Sequence, residues 1–135
     1  MTVTPRGIRN NNPGNIRYDG TLWQGETGQD GGGFVTFDTP EHGIRALAKV
    51  LISYQTKHGL TTIGQMINRW APPVENDTDA YVVAVCKACS ASPSNPYTLT
   101  PSRLATLAAA IIHQENGEQP YSDAVIETGV DSAFL

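Results

Sequence analysis

The chain has 135 residues, of which 39% are hydrophobic and 16% are charged, so it is long enough to bury one core and too apolar to be disordered. Nine Lys and Arg residues against thirteen Asp and Glu residues give a formal net charge of −4, which argues against nucleic acid because phosphate binding depends on cationic side chains. No apolar run is long enough to cross a membrane, and the first ten residues lack the apolar core of a signal peptide. We therefore expect one domain over residues 1–135 that does not bind nucleic acid, does not insert into a membrane, and needs another carrier to leave the cytoplasm.

The segment 6–25, RGIRNNNPGNIRYDGTLWQG, is rich in Asn and Gly and interleaved with arginine and aromatic side chains. Asn and Gly tolerate positive φ, and Asn side chains bond to nearby backbone, so an ordered, turn-rich loop is predicted. Amides, guanidinium groups and aromatic faces together suit a polar, uncharged chain such as a glycan. A tight turn leading into a hairpin, with Trp23 as a core anchor, explains the same residues, and local spacing alone favours it.

Residues 6–38 are Gly-rich and helix-poor and are predicted to contain two or three short strands, and helical signals recur after them. The apolar pieces at 16–18, 22–23 and 34–37 are the candidate strands, joined through the GQDGGG loop. Thr39 is the expected N-cap and Pro40 the first residue of a helix that Gly59 stops. Four further helices are predicted to begin after Thr61–Thr62, near Asn76, at Thr100–Pro101 and after Ser122. The expected fold class is α+β, a helix-dominated domain with a small β-hairpin sheet near the N-terminus.

Cys86 and Cys89 form a C-x-x-C pair, a spacing found in redox and zinc sites. They share one helical face with Val82 and Val85, which favours small core residues over ligands. There is no second C-x-x-C, and no metal-ligand spacing joins His42, His58 and His113. We expect no metal and no cofactor, and a zinc or thiol enzyme is kept as a rival hypothesis.

Glu115 continues the apolar stripe of the helix that opens at Thr100–Pro101, whose other members are Leu104, Leu107, Ala108 and Ile111. A core-facing carboxylate near a helix C-terminus loses solvation and meets the negative end of the helix dipole, and both effects favour the protonated form. Glycosidic cleavage needs a general acid that keeps its proton near neutral pH. One residue of fraying would instead place Glu115 in solvent as an ordinary surface acid, and the two interpretations are balanced on these residues alone.

Asp123 lies eight residues after Glu115 and is a candidate second carboxylate across a cleft. It also suits the first turn of a helix capped by Ser122, where the dipole favours a negative charge, and this interpretation is preferred. No nucleophile-elbow motif is present, so a serine hydrolase is not expected.

Four motifs, RGIRNNNPGNIRY, W-x-G at Trp23 to Gly25, FVTFDTPEHGIRAL and INRWAPPVENDTDAYVVAV, together resemble a family of phage and prophage virion proteins that are usually described only as structural proteins. This resemblance covers nearly the whole chain and implies a viral origin. The order of the Asn-Asn segment, GNIR, W-x-G, an aromatic strand and a long helix is also similar to bacterial cell-wall glucosaminidases of the lysozyme superfamily. Residues 107–117, LAAAIIHQENG, resemble the Glu-bearing helix of goose-type lysozymes and lytic transglycosylases.

In the glucosaminidases the Glu-bearing helix precedes the Asn-Asn segment, whereas here it follows it. The two resemblances therefore imply a circularly permuted, lysozyme-like domain whose two halves meet across one cleft. They imply a muramidase or lytic transglycosylase that cleaves the β-1,4 linkage of peptidoglycan with Glu115 as the general acid and Asp123 as the candidate partner acid. The substrate-binding side chains implied with them are Asn11, Asn12, Asn15, Tyr18, Trp23, Tyr81 and Tyr97.

The partners implied by these resemblances are peptidoglycan glycan strands, together with other virion or secretion-apparatus proteins. The implied location is the virion or, after delivery, the bacterial periplasm and cell wall. The rival hypothesis is a non-catalytic virion protein that keeps a lysozyme-like fold for assembly or for wall binding. It shares every sequence feature except the need for a buried acid.

Overall fold

The computed structural model describes residues 3–74 and 76–135, and within these residues the chain forms six helices and one two-stranded antiparallel sheet. The elements are α1 (Arg6–Arg9), β1 (Glu26–Gln29), β2 (Val35–Phe37), α2 (Pro40–Thr56), α3 (Ile63–Trp70), α4 (Thr78–Cys89), α5 (Pro101–Asn116) and α6 (Asp123–Ser132). The expected α+β class, with helices dominant and a small sheet near the N-terminus, is confirmed.

Side-chain caps begin the longer helices where the sequence predicts them. Thr39, Thr100 and Ser122 each accept a backbone N–H three residues on, and Thr62 forms a full capping box with Gln65. One boundary differs from expectation, because α2 ends at Thr56 rather than at Gly59. The helix expected to begin near Asn76 is α4, and its N-cap is the next residue, Asp77. Asp77 accepts from the N–H of Ala80 at 3.2 Å, whereas the Asn76 amide donates to the carbonyl of Pro72 at 3.2 Å and so does not cap the helix.

The strand predictions are only partly correct. Residues 34–37 supply β2, but the piece at 16–18 contributes a single bridge, Arg17 to Phe34. Residues 22–23 form no strand, and Leu22 is 88% exposed. The partner of β2 is β1, whose sequence ETGQ has no apolar alternation. The segment expected to be helix-poor contains one short helix, α1, of four residues.

The main core lies between α2, α3, α4, α5 and α6, and a smaller one lies under the sheet. Cys86 is buried and Cys89 is half-buried against the main core, and burial raises the pKa of both free thiols. The prediction that they are core residues is confirmed. Residues 3–74 and 76–135 contain no cluster of His, Cys, Asp or Glu that could hold a metal ion. None of the described helices is long and apolar enough to cross a bilayer.

The asparagine loop, residues 10–16, is ordered by its own side chains, as predicted. Asn11 and Asn15 both have φ of 52°, the left-handed conformation expected of Asn in tight turns. Asn12 is 0% exposed, and its amide donates to the carbonyls of Ile16 at 3.0 Å and Val35 at 2.9 Å while accepting from the N–H of Ile16 at 3.0 Å. Asn12 therefore joins the loop to β2.

Two close backbone contacts hold this loop against the helices. Gly43, in the first turn of α2, lies so near Asn11 that a side-chain carbon there would overlap the Asn11 carbonyl oxygen. Gly14 faces the Trp70 indole, which a Cβ would approach to 3.2 Å. Glycine at these positions allows the loop to pack directly on α2 and α3.

Asp30 organises the turn between β1 and β2. Its carboxylate accepts from the Asn10 amide at 2.9 Å and from the N–H groups of Gly32 and Phe34, both at 2.9 Å, and the Arg6 guanidinium lies 3.9 Å away. The hydrogen bond from Asn10, followed by that from Phe34, lowers the pKa of Asp30 below its ordinary value.

We expect this hydrogen-bond network to make the free energy of unfolding depend on pH. Because the pKa of Asp30 is lower in the folded chain, its contribution is complete above the unfolded value of about 3.9 and is lost as the pH falls through the folded value. Denaturant unfolding of wild type and D30N at several pH values measures this. The D30N variant should lose less stability on acidification below about pH 4, and parallel curves for the two proteins would contradict the assignment.

Candidate active site

Glu115 is held by two parts of the chain that are distant in sequence. It is half-buried at the second-last position of α5. Its Oε1 accepts from the Asn15 amide at 3.2 Å, and its Oε2 accepts from the Tyr81 hydroxyl at 2.9 Å. The asparagine loop, α4 and the end of α5 therefore meet at this carboxylate, and both of its oxygens have a fixed donor.

Asn116, the residue that follows Glu115, forms a second link between the asparagine loop and α5. The Asn116 amide donates to the carbonyl of Pro13 at 2.8 Å and to that of Ile112 at 2.9 Å. Gly7 of α1 packs on these amides, since a Cβ there would come within 2.6 Å of Asn116 Oδ1 and 3.0 Å of Asn15 Oδ1. Gly117 then ends α5 in the left-handed conformation, with φ of 73°, so the position of Glu115 is set on both sides.

Tyr81 is a neutral hydrogen-bond donor to Glu115. The side chain is only 9% exposed, on the inner face of α4. Burial, and then the negative charge of Glu115, raises the pKa of the Tyr81 hydroxyl far above its ordinary value. The phenol therefore keeps its proton at any physiological pH and orients the carboxylate.

Glu115 opens onto a groove of about 530 Å³. Its wall has the amide of Asn15 beside the acid, and the aromatic side chains of Trp23, Tyr54 and Trp70 line it. Phe34 lies in the same wall but is only 8% exposed. The polar side chains of the groove include Arg6, Arg17, Asp19 and Asn76. Aromatic faces with amide and guanidinium groups suit a sugar polymer, whose rings have apolar faces and polar edges.

Several predicted substrate-binding residues lie outside this groove. Asn12 is buried and serves the loop, and the Asn11 amide donates to the carbonyl of Phe37 at 3.1 Å. Tyr18 is 44% exposed and follows the groove-lining Arg17 without lining the groove itself. Tyr97 donates to the carbonyl of Arg103 at 2.9 Å, at the opposite end of α5 from Glu115 and about 18 Å along the helix.

Asp123 does not face Glu115 across the groove. It is the exposed first residue of α6, and Ser122 caps the helix by accepting from the N–H of Val125 at 3.3 Å. It lines a separate cavity between α4, α5 and α6, beside Glu127. The helix-terminus interpretation therefore describes its position, and Asp123 is not among the residues that line the groove beside Glu115.

The sequence patterns around three groove residues, Arg6, Arg17 and Trp70, predict part of what the structure shows for them. Arg6 and Arg17 belong to the interleaved segment 6–25, but no role was assigned to them individually. Trp70 fits the inward face of α3, and its second role in the groove depends on the close approach of Gly14. Tyr54 lies on α2, and nothing local in the sequence distinguishes it from a surface tyrosine.

A substitution at Tyr81 tests the site without changing the shape of the site. Replacing Tyr81 with Phe removes one donor to Glu115 without changing the packed volume, so any glycan cleavage should fall about tenfold, the effect of one hydrogen bond to a charged group. Initial rates on peptidoglycan across a range of pH measure this effect.

The matched control is Y97F, which also removes a tyrosine hydroxyl bond but at the far end of α5. It should leave the rate and the pH profile unchanged. Equal losses in Y81F and Y97F would show a general loss of stability rather than a role at Glu115.

No protein-family profile matches this chain. It is 41% identical over 133 residues to Protein P5 of Pseudoalteromonas phage PM2, and the alignment covers 96% of this chain and 82% of that protein. The chain belongs to the Protein P5 family. The predicted relationship to phage proteins is thereby confirmed. The name of this P5 relative states no enzymatic activity.

Proposed function

We propose that this P5-family protein cleaves the glycan strands of peptidoglycan, as a muramidase or a lytic transglycosylase, with Glu115 as the general acid. The observation that supports this proposal is the pair of hydrogen bonds that Asn15 and Tyr81 donate to Glu115 in a groove lined by aromatic side chains. These two contacts hold the side chain of Glu115 in one position beside the groove.

In this mechanism the protonated Glu115 donates its proton to the glycosidic oxygen as the bond to the anomeric carbon breaks. A lytic transglycosylase then closes an internal ring through a hydroxyl of the same sugar and needs no catalytic carboxylate partner. A muramidase uses water instead. Among the described groove residues the other carboxylate is Asp19, whose pKa is lowered by hydrogen bonds from Thr21 and which therefore stays ionised.

The proposed lysozyme-like, circularly permuted arrangement is supported by the same contacts. The Asn15 amide reaches Glu115 across 100 positions of sequence. The asparagine segment therefore lies beside the Glu-bearing helix although their order along the chain is reversed relative to the glucosaminidases that it resembles.

The second candidate function is a non-catalytic virion protein that binds the cell wall or other virion proteins. It is favoured by the phage relative, whose name carries no activity. Under either proposal the protein acts in the virion or, after delivery, in the periplasm and cell wall. Its ligand is the glycan strand if it is an enzyme or a wall-binding protein, and another virion protein if it serves assembly.

Incubation of the purified protein with insoluble peptidoglycan distinguishes the two candidates. Soluble muropeptides, separated by chromatography and identified by mass, support cleavage. Anhydro sugar ends indicate a lytic transglycosylase and reducing ends a muramidase. Co-sedimentation with peptidoglycan without any released product supports the wall-binding candidate and contradicts the enzyme.

A further inference from the structure

Two arginines flank one aromatic ring on the wall of the groove that contains Glu115. The guanidinium carbon of Arg6 lies 4.4 Å from the centroid of the Phe34 ring, and that of Arg17 lies 4.5 Å from it. Phe34 is only 8% exposed, so the ring is a fixed platform. Stacking restricts both guanidinium groups before any ligand binds, which reduces the entropy lost on binding.

The guanidinium groups of Arg6 and Arg17 differ in whether a carboxylate lies nearby. Arg6 lies 3.9 Å from Asp30, whose oxygens already accept three other hydrogen bonds. Arg17 is exposed and forms no salt bridge within residues 3–74 and 76–135. Asp19 also lines the groove, but its carboxylate accepts from the N–H of Thr21 at 3.0 Å. Arg17 is therefore the guanidinium whose hydrogen-bond donors are available to a ligand.

Arg17 is close to the proposed reaction centre. It follows Asn15 by two residues, and the Asn15 amide donates directly to Glu115. Arg17, Asn15 and Glu115 line the same groove. A ligand group bound by Arg17 therefore belongs to the stretch of glycan that the groove holds together with the bond that Glu115 protonates.

We propose that Arg17, assisted by Arg6, binds a carboxylate carried by the glycan beside the cleaved bond, so that the groove selects acidic glycans over neutral ones such as chitin. This inference rests on the proposed glycan groove but not on cleavage. The planar guanidinium binds a carboxylate through two parallel hydrogen bonds, which a neutral sugar cannot provide. Peptidoglycan supplies such a group as the lactyl carboxylate where the peptide has been removed, or as a stem-peptide carboxylate where it is retained.

The test uses full-length E115Q protein, so that no probe is degraded, and calorimetric binding to three probes. These are chitooligosaccharides, amidase-stripped glycan strands that carry lactyl carboxylates, and uncrosslinked strands that carry stem peptides. Adding R17Q should weaken binding of a carboxylate-bearing probe about tenfold or more and reduce its salt dependence, while binding of chitooligosaccharides is unchanged. Adding R9Q, an equal charge change on an exposed arginine outside the groove, should alter nothing.

The pattern of losses identifies the source of the carboxylate. A loss confined to stripped strands assigns the lactyl group, and a loss confined to peptide-bearing strands assigns the stem. Equal binding by the R17Q and R9Q proteins, or an equal loss on chitooligosaccharides, overturns the inference alone. Arg17-dependent binding together with a wild-type protein that releases no muropeptides supports this inference and overturns cleavage, whereas no binding to any probe overturns both.

Discussion

Replacing Glu115 with Gln is expected to reduce the release of muropeptides by about 10²- to 10⁴-fold, because the amide has no proton to give to the leaving oxygen. The shape of the side chain is kept, and its carbonyl still accepts one hydrogen bond from Tyr81. In the wild-type chain the Asn15 amide donates to Glu115 at 3.2 Å. In the variant the NH₂ group of the glutamine faces that donor, so this hydrogen bond is lost. The free energy of unfolding should therefore fall by only about 1 kcal/mol, the value of one ordinary hydrogen bond.

The matched control is E118Q, which makes the same chemical change on an exposed glutamate just beyond α5. Its rate of release should equal that of wild type. Release by E115Q at more than about a tenth of the wild-type rate would exclude Glu115 as the general acid. Thermal unfolding of both variants shows whether a lost rate reflects chemistry or a lost fold.

Replacing Gly43 with Ala is expected to lower the free energy of unfolding by about 3 kcal/mol or more, since the added methyl group overlaps backbone that cannot move independently. The overlapped atom is the carbonyl oxygen of Asn11. Moving it away displaces Asn12, which joins the loop to β2 through one hydrogen bond to Val35 and closes the loop through two hydrogen bonds with Ile16. The loop that supplies Asn15 to Glu115 would shift with it, so activity should fall together with stability.

Gly31 offers the control. It is exposed, its φ is not positive, and a Cβ there would meet no atom within 4 Å. The G31A variant should therefore change the free energy of unfolding by no more than about 0.5 kcal/mol. Denaturant unfolding followed by circular dichroism compares the two, and a G43A protein as stable as G31A would contradict the close contact between α2 and the asparagine loop.

Helix positions were predictable because their determinants are local. Thr39–Pro40 and Thr100–Pro101 specify a cap and a first turn within a few residues, and Gly117 specifies an end. The strands were less predictable, because β1 has no apolar alternation and exists through its pairing with β2. Pairing partners are non-local, and a short polar strand carries no signal of its own.

The half-buried position of Glu115 is one of the two placements that the stripe of α5 allowed, whereas most of the groove had no signal in the sequence. Asn12 shows why: an Asn beside a sugar and an Asn that organises a turn look alike in sequence, and the structure places this one at 0% exposure. Tyr97 and Tyr81 were indistinguishable as candidate wall residues, yet only Tyr81 bonds to Glu115. Which tyrosine reaches the acid depends on how α4 packs against α5, a property of the tertiary structure.

The hydrogen bond between Asn15 and Glu115 also bears on when the groove first forms during synthesis. A nascent polypeptide leaves the ribosome from its N-terminus, so the amide emerges long before the carboxylate to which it donates. Closing a loop of this length is entropically costly and must await the packing of α5. A translation product that stops before α5 therefore has no assembled groove.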